Sequence, residues 1–149
     1  MAAMPVEIAR RGAGKRVPSR SLQKIAQAIL DAMGRTEAEL SLALIGNAEM
    51  RRLNATYRKK DYPTDVLSFP IEGSPRIGAL LGDVIISVDK AREQALERGC
   101  TEAEEIVTLL IHGVVHLLGY DHERSAKDAR AMKRQGNKIR RVVCVQGLL

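Results

Sequence analysis

Tryptophan is absent from this sequence, and three tyrosines and one phenylalanine are its whole aromatic stock. A core must therefore be built from aliphatic side chains, and so few rings offer no obvious platform for stacking nucleic-acid bases. Cysteine is as scarce. Cys100 and Cys144 alone make no disulfide framework and lack the spacing of a paired metal-ligand set, which suits a reducing, cytoplasmic setting. No apolar run approaches the roughly 20 residues that cross a bilayer. The opening MAAMPVEIARRGAGKR lacks the apolar stretch of a secretory signal, and Glu7 argues against a basic organellar presequence. Histidine is confined to one place: His112, His116 and His122, all inside IHGVVHLLGYDH.

What the chain does have is positive charge. Its 149 residues carry 24 Lys and Arg against 18 Asp and Glu, a net charge of +6. The basic residues gather at Arg10, Arg11, Lys15, Arg16 and Arg20, at Arg51, Arg52, Arg58, Lys59 and Lys60, and between Arg124 and Arg141, while acids concentrate around Glu93–Glu105. Separated charge of this kind favours an anionic polymer such as nucleic acid, the competing reading being a solvated surface with a mild basic excess. The length and the 45% hydrophobic content fit one domain over residues 1–149, with a basic strand and turn region at 1–20 and a basic segment at 124–149.

Patterning divides the chain into alternating helices and strands. VEIAR has strand alternation. SLQKIAQAILDAMG sets Leu22, Ile25, Ile29 and Met33 at helical spacing and stops at Gly34. ELSLALIG puts Leu40, Leu42 and Leu44 on one strand face. Asn47 is placed to cap a helix through NATYR. KKDYPTD is a loop, VLSFP a short strand, IEGSPRIGA a turn-rich connection and LLGDVIISV a buried strand. Asp89 caps a helix that Gly99 breaks. Thr101 and Glu104 form a capping box for a helix from about Glu102 to Leu118, ended by Gly119. The basic segment from Ser125 to Arg141 has helical composition except for Gly136. The order predicts an α+β fold in a single domain.

His112 and His116 are four residues apart, so on a helix both imidazoles project from one side, one turn above the other. Gly119 can take the left-handed conformation that turns the chain and swings His122 toward them. The offsets of His, Gly and His from His112 match the zincin-like pattern H-E-x-x-H-x-x-G-x-x-H at every position but the glutamate, which here is Gly113. Three imidazoles leave a tetrahedral metal with one open corner, the catalytic arrangement. Zinc suits such ligands, and nickel or copper would also bind. Without the glutamate that takes a proton from water, ordinary peptide hydrolysis is disfavoured. A metal that lowers the pKa of water to about 7, combined with abundant positive charge, points to phosphate chemistry.

HGVVHLLGYDH, together with LNATYRKKDYPTDVLSFP (53–70) and the later LGDVIIS, resembles the YbeY family of bacterial endoribonucleases and ribosome-maturation factors, in order and spacing over roughly residues 36–123. The resemblance implies an α+β fold around a small mixed sheet packed with helices, and one zinc ion per chain at His112, His116 and His122. It also implies action on single-stranded RNA in ribosomal RNA maturation and ribosome quality control, with His112 and His116 at the catalytic centre. Arg58, the arginine of the family's Y-R-x-K-D stretch, is implied to act in cleavage. A guanidinium binds phosphate oxygens through two parallel hydrogen bonds, though a helix end also welcomes a solvated cation. Lys59 and Lys60 read as backbone-phosphate contacts.

Asp121 is placed to serve as a second acceptor beside His122. Asp61 and Asp65 could orient a histidine or close turns, and the turn role suits Asp65. Asp83 inside an apolar strand demands a partner. After Met132 the chain departs from the family's acidic terminal helix with KRQGNKIRRVVCVQGLL, leaving the extent of the last helix open. Two other functions compete with a nuclease. One is a non-catalytic RNA- or ribosome-binding assembly factor with a structural metal. The other is a metal-dependent hydrolase of another substrate.

Overall fold

Alternation in Glu39–Ile45 buries Leu40, Leu42 and Leu44 on one face of a strand, and this strand becomes an inner member of a sheet. The computed structural model describes residues 6–35, 37–70, 80–118 and 126–145. The strands are β1 (Val6–Arg10), β2 (Glu39–Ile45), β3 (Val66–Pro70) and β4 (Leu80–Ser87), in the order β1-β2-β4-β3. β1, β2 and β4 run parallel, and β3 pairs antiparallel to β4, with Ser68 opposite Val84 and Phe69 opposite Asp83. The helices are α1 (Ser19–Ala32), α2 (Asn47–Arg58), α3 (Val88–Arg98), α4 (Glu102–Leu117) and α5 (Ala126–Val145), with a 3-10 turn at Gly12–Arg16. This is a single small α+β domain on a mixed four-stranded sheet, as the sequence predicts. Among the described residues, no helix is long and apolar enough to cross a membrane.

The two sheet faces differ. On one, α1 and α4 cover Leu40, Leu42, Leu44, Val84 and Ile86 to make the main core, which Ile139 of α5 joins. On the other, α2 packs Met50 and Leu53 against Ile45, Leu67, Phe69 and Ile85. β4 is therefore buried on one face rather than throughout. Asp83 points to the less covered face, half-buried in a shallow groove beside Ser41 and Glu7, so its carboxylate is not in the apolar core.

Two helix starts exchange the roles read from the sequence. Ser87, not Asp89, caps α3 by accepting the Lys90 N–H. Asp89 instead reaches back to accept the Asn47 N–H at 2.9 Å, so α2 begins under a carboxylate from α3 while Asn47 Oδ1 accepts the Ser87 hydroxyl. The α4 capping box forms as expected, with Thr101 Oγ1 accepting the Glu104 N–H and the Glu104 carboxylate accepting the Thr101 N–H. α5 runs through Gly136 and on to Val145, four residues beyond the helical segment read from the sequence.

Candidate active site at the edge of β3

α4 carries both described histidines. Successive residues turn by about 100° on a helix, so three sides can be assigned. Gly113 and Leu117 face the sheet, while Leu110 and Val114 are fully buried in the core. Ile111 and Val115 line the contact with α5. His112 and His116 fall on the remaining flank, away from Leu110 and Val114, where His112 is exposed at the rim of the α4–α5 contact and His116 is half-buried. The Ser68 hydroxyl of β3 donates to the Gly113 carbonyl at 3.3 Å, tying this turn of α4 to the strand.

The close approach explains the residue that stands where a peptidase has glutamate. A Cβ at position 113 would lie 2.7 Å from Val84 Cγ1 and 3.2 Å from Ser68 Oγ. Val84 is β-branched and stiff in χ1, so it cannot swing aside cheaply. Any side chain at 113 would be driven into the sheet. The position is unfit for a base, and its glycine serves packing.

Arg58 arrives from the other side. Tyr57 meets Phe69 edge-to-face, with ring centroids 5.2 Å apart, so the end of α2 lies at Phe69 while α4 lies at Ser68. Neighbouring residues of one edge strand thus hold the histidine helix and the arginine helix on opposite faces. Lys59 takes a left-handed conformation (φ 58°) that ends α2, and the N–H groups of Lys59 and Lys60 both point to the Asn54 carbonyl. Arg58, Lys59 and Lys60 are all exposed and, among the described residues, form no ion pair.

Asp61 has an arginine for a partner. It takes a two-point contact from Arg51, with Nε at 2.8 Å and Nη2 at 3.1 Å, and that hydrogen bond, then the charge, holds its carboxyl below the usual range. Asp65 closes the turn, its carboxylate accepting the Val66 N–H at 2.8 Å and its carbonyl the Ser87 N–H. His122, Asp121 and Gly119 lie outside the described residues. Among the described residues, no group of three or more His, Cys, Asp or Glu side chains could hold a metal ion. The donor set still suits zinc as far as it goes: two imidazoles at i and i+4 on one accessible flank supply two of the three ligands read from the sequence.

Two features escaped the sequence. A groove of about 300 Å³ runs between α4 and α5, lined by Thr108, His112, Lys133, Asn137 and Arg140. Arg140 donates to the Thr108 hydroxyl there. Three arginines of the first basic cluster, though exposed, are also engaged by the protein's own groups. Arg10 donates to the Val17 carbonyl, Arg11 pairs with Glu49, and Arg16 bridges Asp89 and Glu102. Charge counting could not separate these engaged arginines from Arg58, Lys59 and Lys60, because only the fold supplies the groups that engage them.

Residues 7–143 match the family model described as Endoribonuclease YbeY. The protein of that name from Aquifex aeolicus (strain VF5) is 43% identical over 125 residues, covering 84% of this chain and 83% of that protein. The one from Geobacter metallireducens (strain ATCC 53774 / DSM 7210 / GS-15) is 39% identical, covering 98% of this chain and all of that protein (100%). The Anaeromyxobacter dehalogenans (strain 2CP-C) protein, also of that name, is 50% identical over 123 residues, and the matched stretch covers 83% of this chain but 63% of the length of that relative. The solution structure of TM1509 from Thermotoga maritima superposes with a TM-score of 0.66 at 26% identity, covering 95% of this chain and 91% of that one.

Proposed function

This chain belongs to the endoribonuclease YbeY family, and from that premise we propose that it is a zinc-dependent endoribonuclease acting on single-stranded ribosomal RNA in the cytoplasm, in ribosomal RNA maturation and ribosome quality control. The reading draws on the edge strand β3, whose Ser68 meets Gly113 of the histidine helix and whose Phe69 meets Tyr57, the residue before Arg58. Of the residues here, His112, His116 and His122 are the ligands of one zinc ion per chain. When bound, zinc supplies Lewis acidity toward water or a phosphate oxygen.

The remaining work falls to the protein's own side chains. Arg58 donates to the non-bridging oxygens of the scissile phosphate as negative charge builds on them, at a fixed and permanently charged position. Lys59 and Lys60 hold the adjoining backbone as point charges. Asp121, next to His122 in sequence, accepts a proton or a hydrogen bond from an imidazole. Gly113 keeps the peptidase base out of the site.

Cleavage of unpaired ribosomal RNA by purified protein tests this. Arg58→Ala lowers kcat by about 100-fold or more, the cost of removing one donor to a developing oxyanion, and His112→Ala and His116→Ala abolish cleavage. Undiminished cutting by all three variants would exclude the site. A second reading rests on the exposed cations Arg58, Lys59 and Lys60, which suit RNA binding without cleavage. It makes the protein an RNA-binding assembly factor with a structural metal. Its expected signature is RNA binding that survives the histidine changes, and no cleavage by the wild type.

A further inference from the structure

The chain has four aromatic residues, and three of them, Tyr57, Tyr62 and Phe69, converge on the turn that carries Arg58. Tyr57 is 63% exposed and Tyr62 53% exposed, two of the three large hydrophobic side chains left exposed among the described residues. Tyr57 is not loose, because its ring rests edge-to-face on Phe69 of β3. Tyr62 is held by Asn54, buried to 1% exposure, whose side-chain amide donates to the Tyr62 carbonyl at 2.7 Å. Asn54 lies one helical turn before Tyr57, and its own carbonyl accepts the Lys59 and Lys60 N–H groups. One buried asparagine thus fixes both ends of a tight turn with a tyrosine on each side and Arg58, Lys59 and Lys60 between. The acid within that stretch, Asp61, is already engaged by Arg51, so the turn presents unopposed positive charge.

We propose that Tyr57 and Tyr62 are stacking platforms for two unpaired bases of an RNA strand, whose intervening phosphates lie on Arg58, Lys59 and Lys60. This rests on the nuclease reading and adds to it a reason for single-strand preference. A base paired within a helix keeps its faces stacked on its neighbours and cannot offer them to a tyrosine, whereas an unpaired base can. Two rings flanking a run of three cations suit bases flanking the phosphates of a strand. A protein surface would have no such demand.

Rapid-mixing anisotropy of the full chain on labelled single-stranded RNA, read before cleavage, tests it. Tyr57→Ala and Tyr62→Ala each weaken binding about 5- to 100-fold, the usual effect of removing one stacked ring, while Tyr57→Phe changes it less than about twofold because the ring remains. Strands made abasic throughout lose affinity for the wild type but bind Tyr57→Ala and the wild type alike. Duplex RNA is indifferent to both alanine changes. If the alanine variants keep their far-ultraviolet dichroism and bind the single strand as tightly as the wild type, the stacking proposal is overturned while the nuclease reading stands. Equal weakening of intact and abasic strands overturns it in the same way. A wild type that binds no single-stranded RNA overturns both.

Discussion

Gly113 shows how much one methyl group decides. A helix interior normally prefers alanine to glycine by about 1 kcal/mol, but here the added Cβ would lie 2.7 Å from Val84 Cγ1. Overpacking of that severity costs about 1–3 kcal/mol and wins over propensity. Gly113→Ala therefore lowers the urea midpoint, and Val84→Ala in the same chain returns part of the loss, a coupling visible in a double-mutant cycle. The sequence shows a missing glutamate at this position, but not the reason, because Val84 lies on a different element. The histidine pair is legible for the opposite cause: its i, i+4 spacing is local and needs only a helix. Arg58 becomes a candidate through family resemblance. What makes it available is a left-handed Lys59 and a buried Asn54, neither of which the composition announces.

At the scale of elements, local signals survive and shared ones do not. The α4 capping box is written within four consecutive residues and forms; Thr101→Ala costs about 1 kcal/mol in chemical denaturation. The starts of α2 and α3 are shared between segments 42 residues apart, with Asp89 capping Asn47, and sequence order alone assigns each cap to its own helix. Gly136 is the one departure from helical composition read in α5, yet a Cβ there would meet only Ile111 Cγ2 at 3.6 Å, an ordinary contact. Gly136→Ala therefore raises stability by about 0.5–1 kcal/mol in the same assay, opposite in sign to Gly113→Ala. The tie between the segment after β1 and α2 is pH-dependent. The Arg11 hydrogen bond, against some desolvation and with help from its charge, holds the Glu49 carboxyl below its ordinary value. A depressed folded value means stability present above about pH 4.3 and lost as pH falls through that range and below. Both groups are partly exposed, so Arg11→Ala removes less than about 1 kcal/mol at neutral pH and flattens the acid limb of the stability curve.

For the whole molecule, the fold sorts the cations of a chain with net charge +6 into those engaged by the protein's own groups and exposed ones that form no ion pair among the described residues. Arg10, Arg11 and Arg16 belong to the first class. Arg58, Lys59, Lys60 and the exposed Lys133 and Arg134 of α5 belong to the second. Each phosphate contact steepens the salt dependence of single-strand binding by about 0.7 in log–log slope. Replacing Arg58, Lys59 and Lys60 together by alanine therefore reduces the slope by about 2, while Arg11→Ala leaves it unchanged.

A metal-dependent nuclease site at the α4 histidines is tested most directly by removing and returning the metal. Protein stripped with a chelator and freed of it is expected to stop cutting single-stranded RNA and to recover with one equivalent of zinc per chain, and His112→Ala is expected not to recover. Stripped protein that cleaves at the untreated rate would contradict a metal-dependent site.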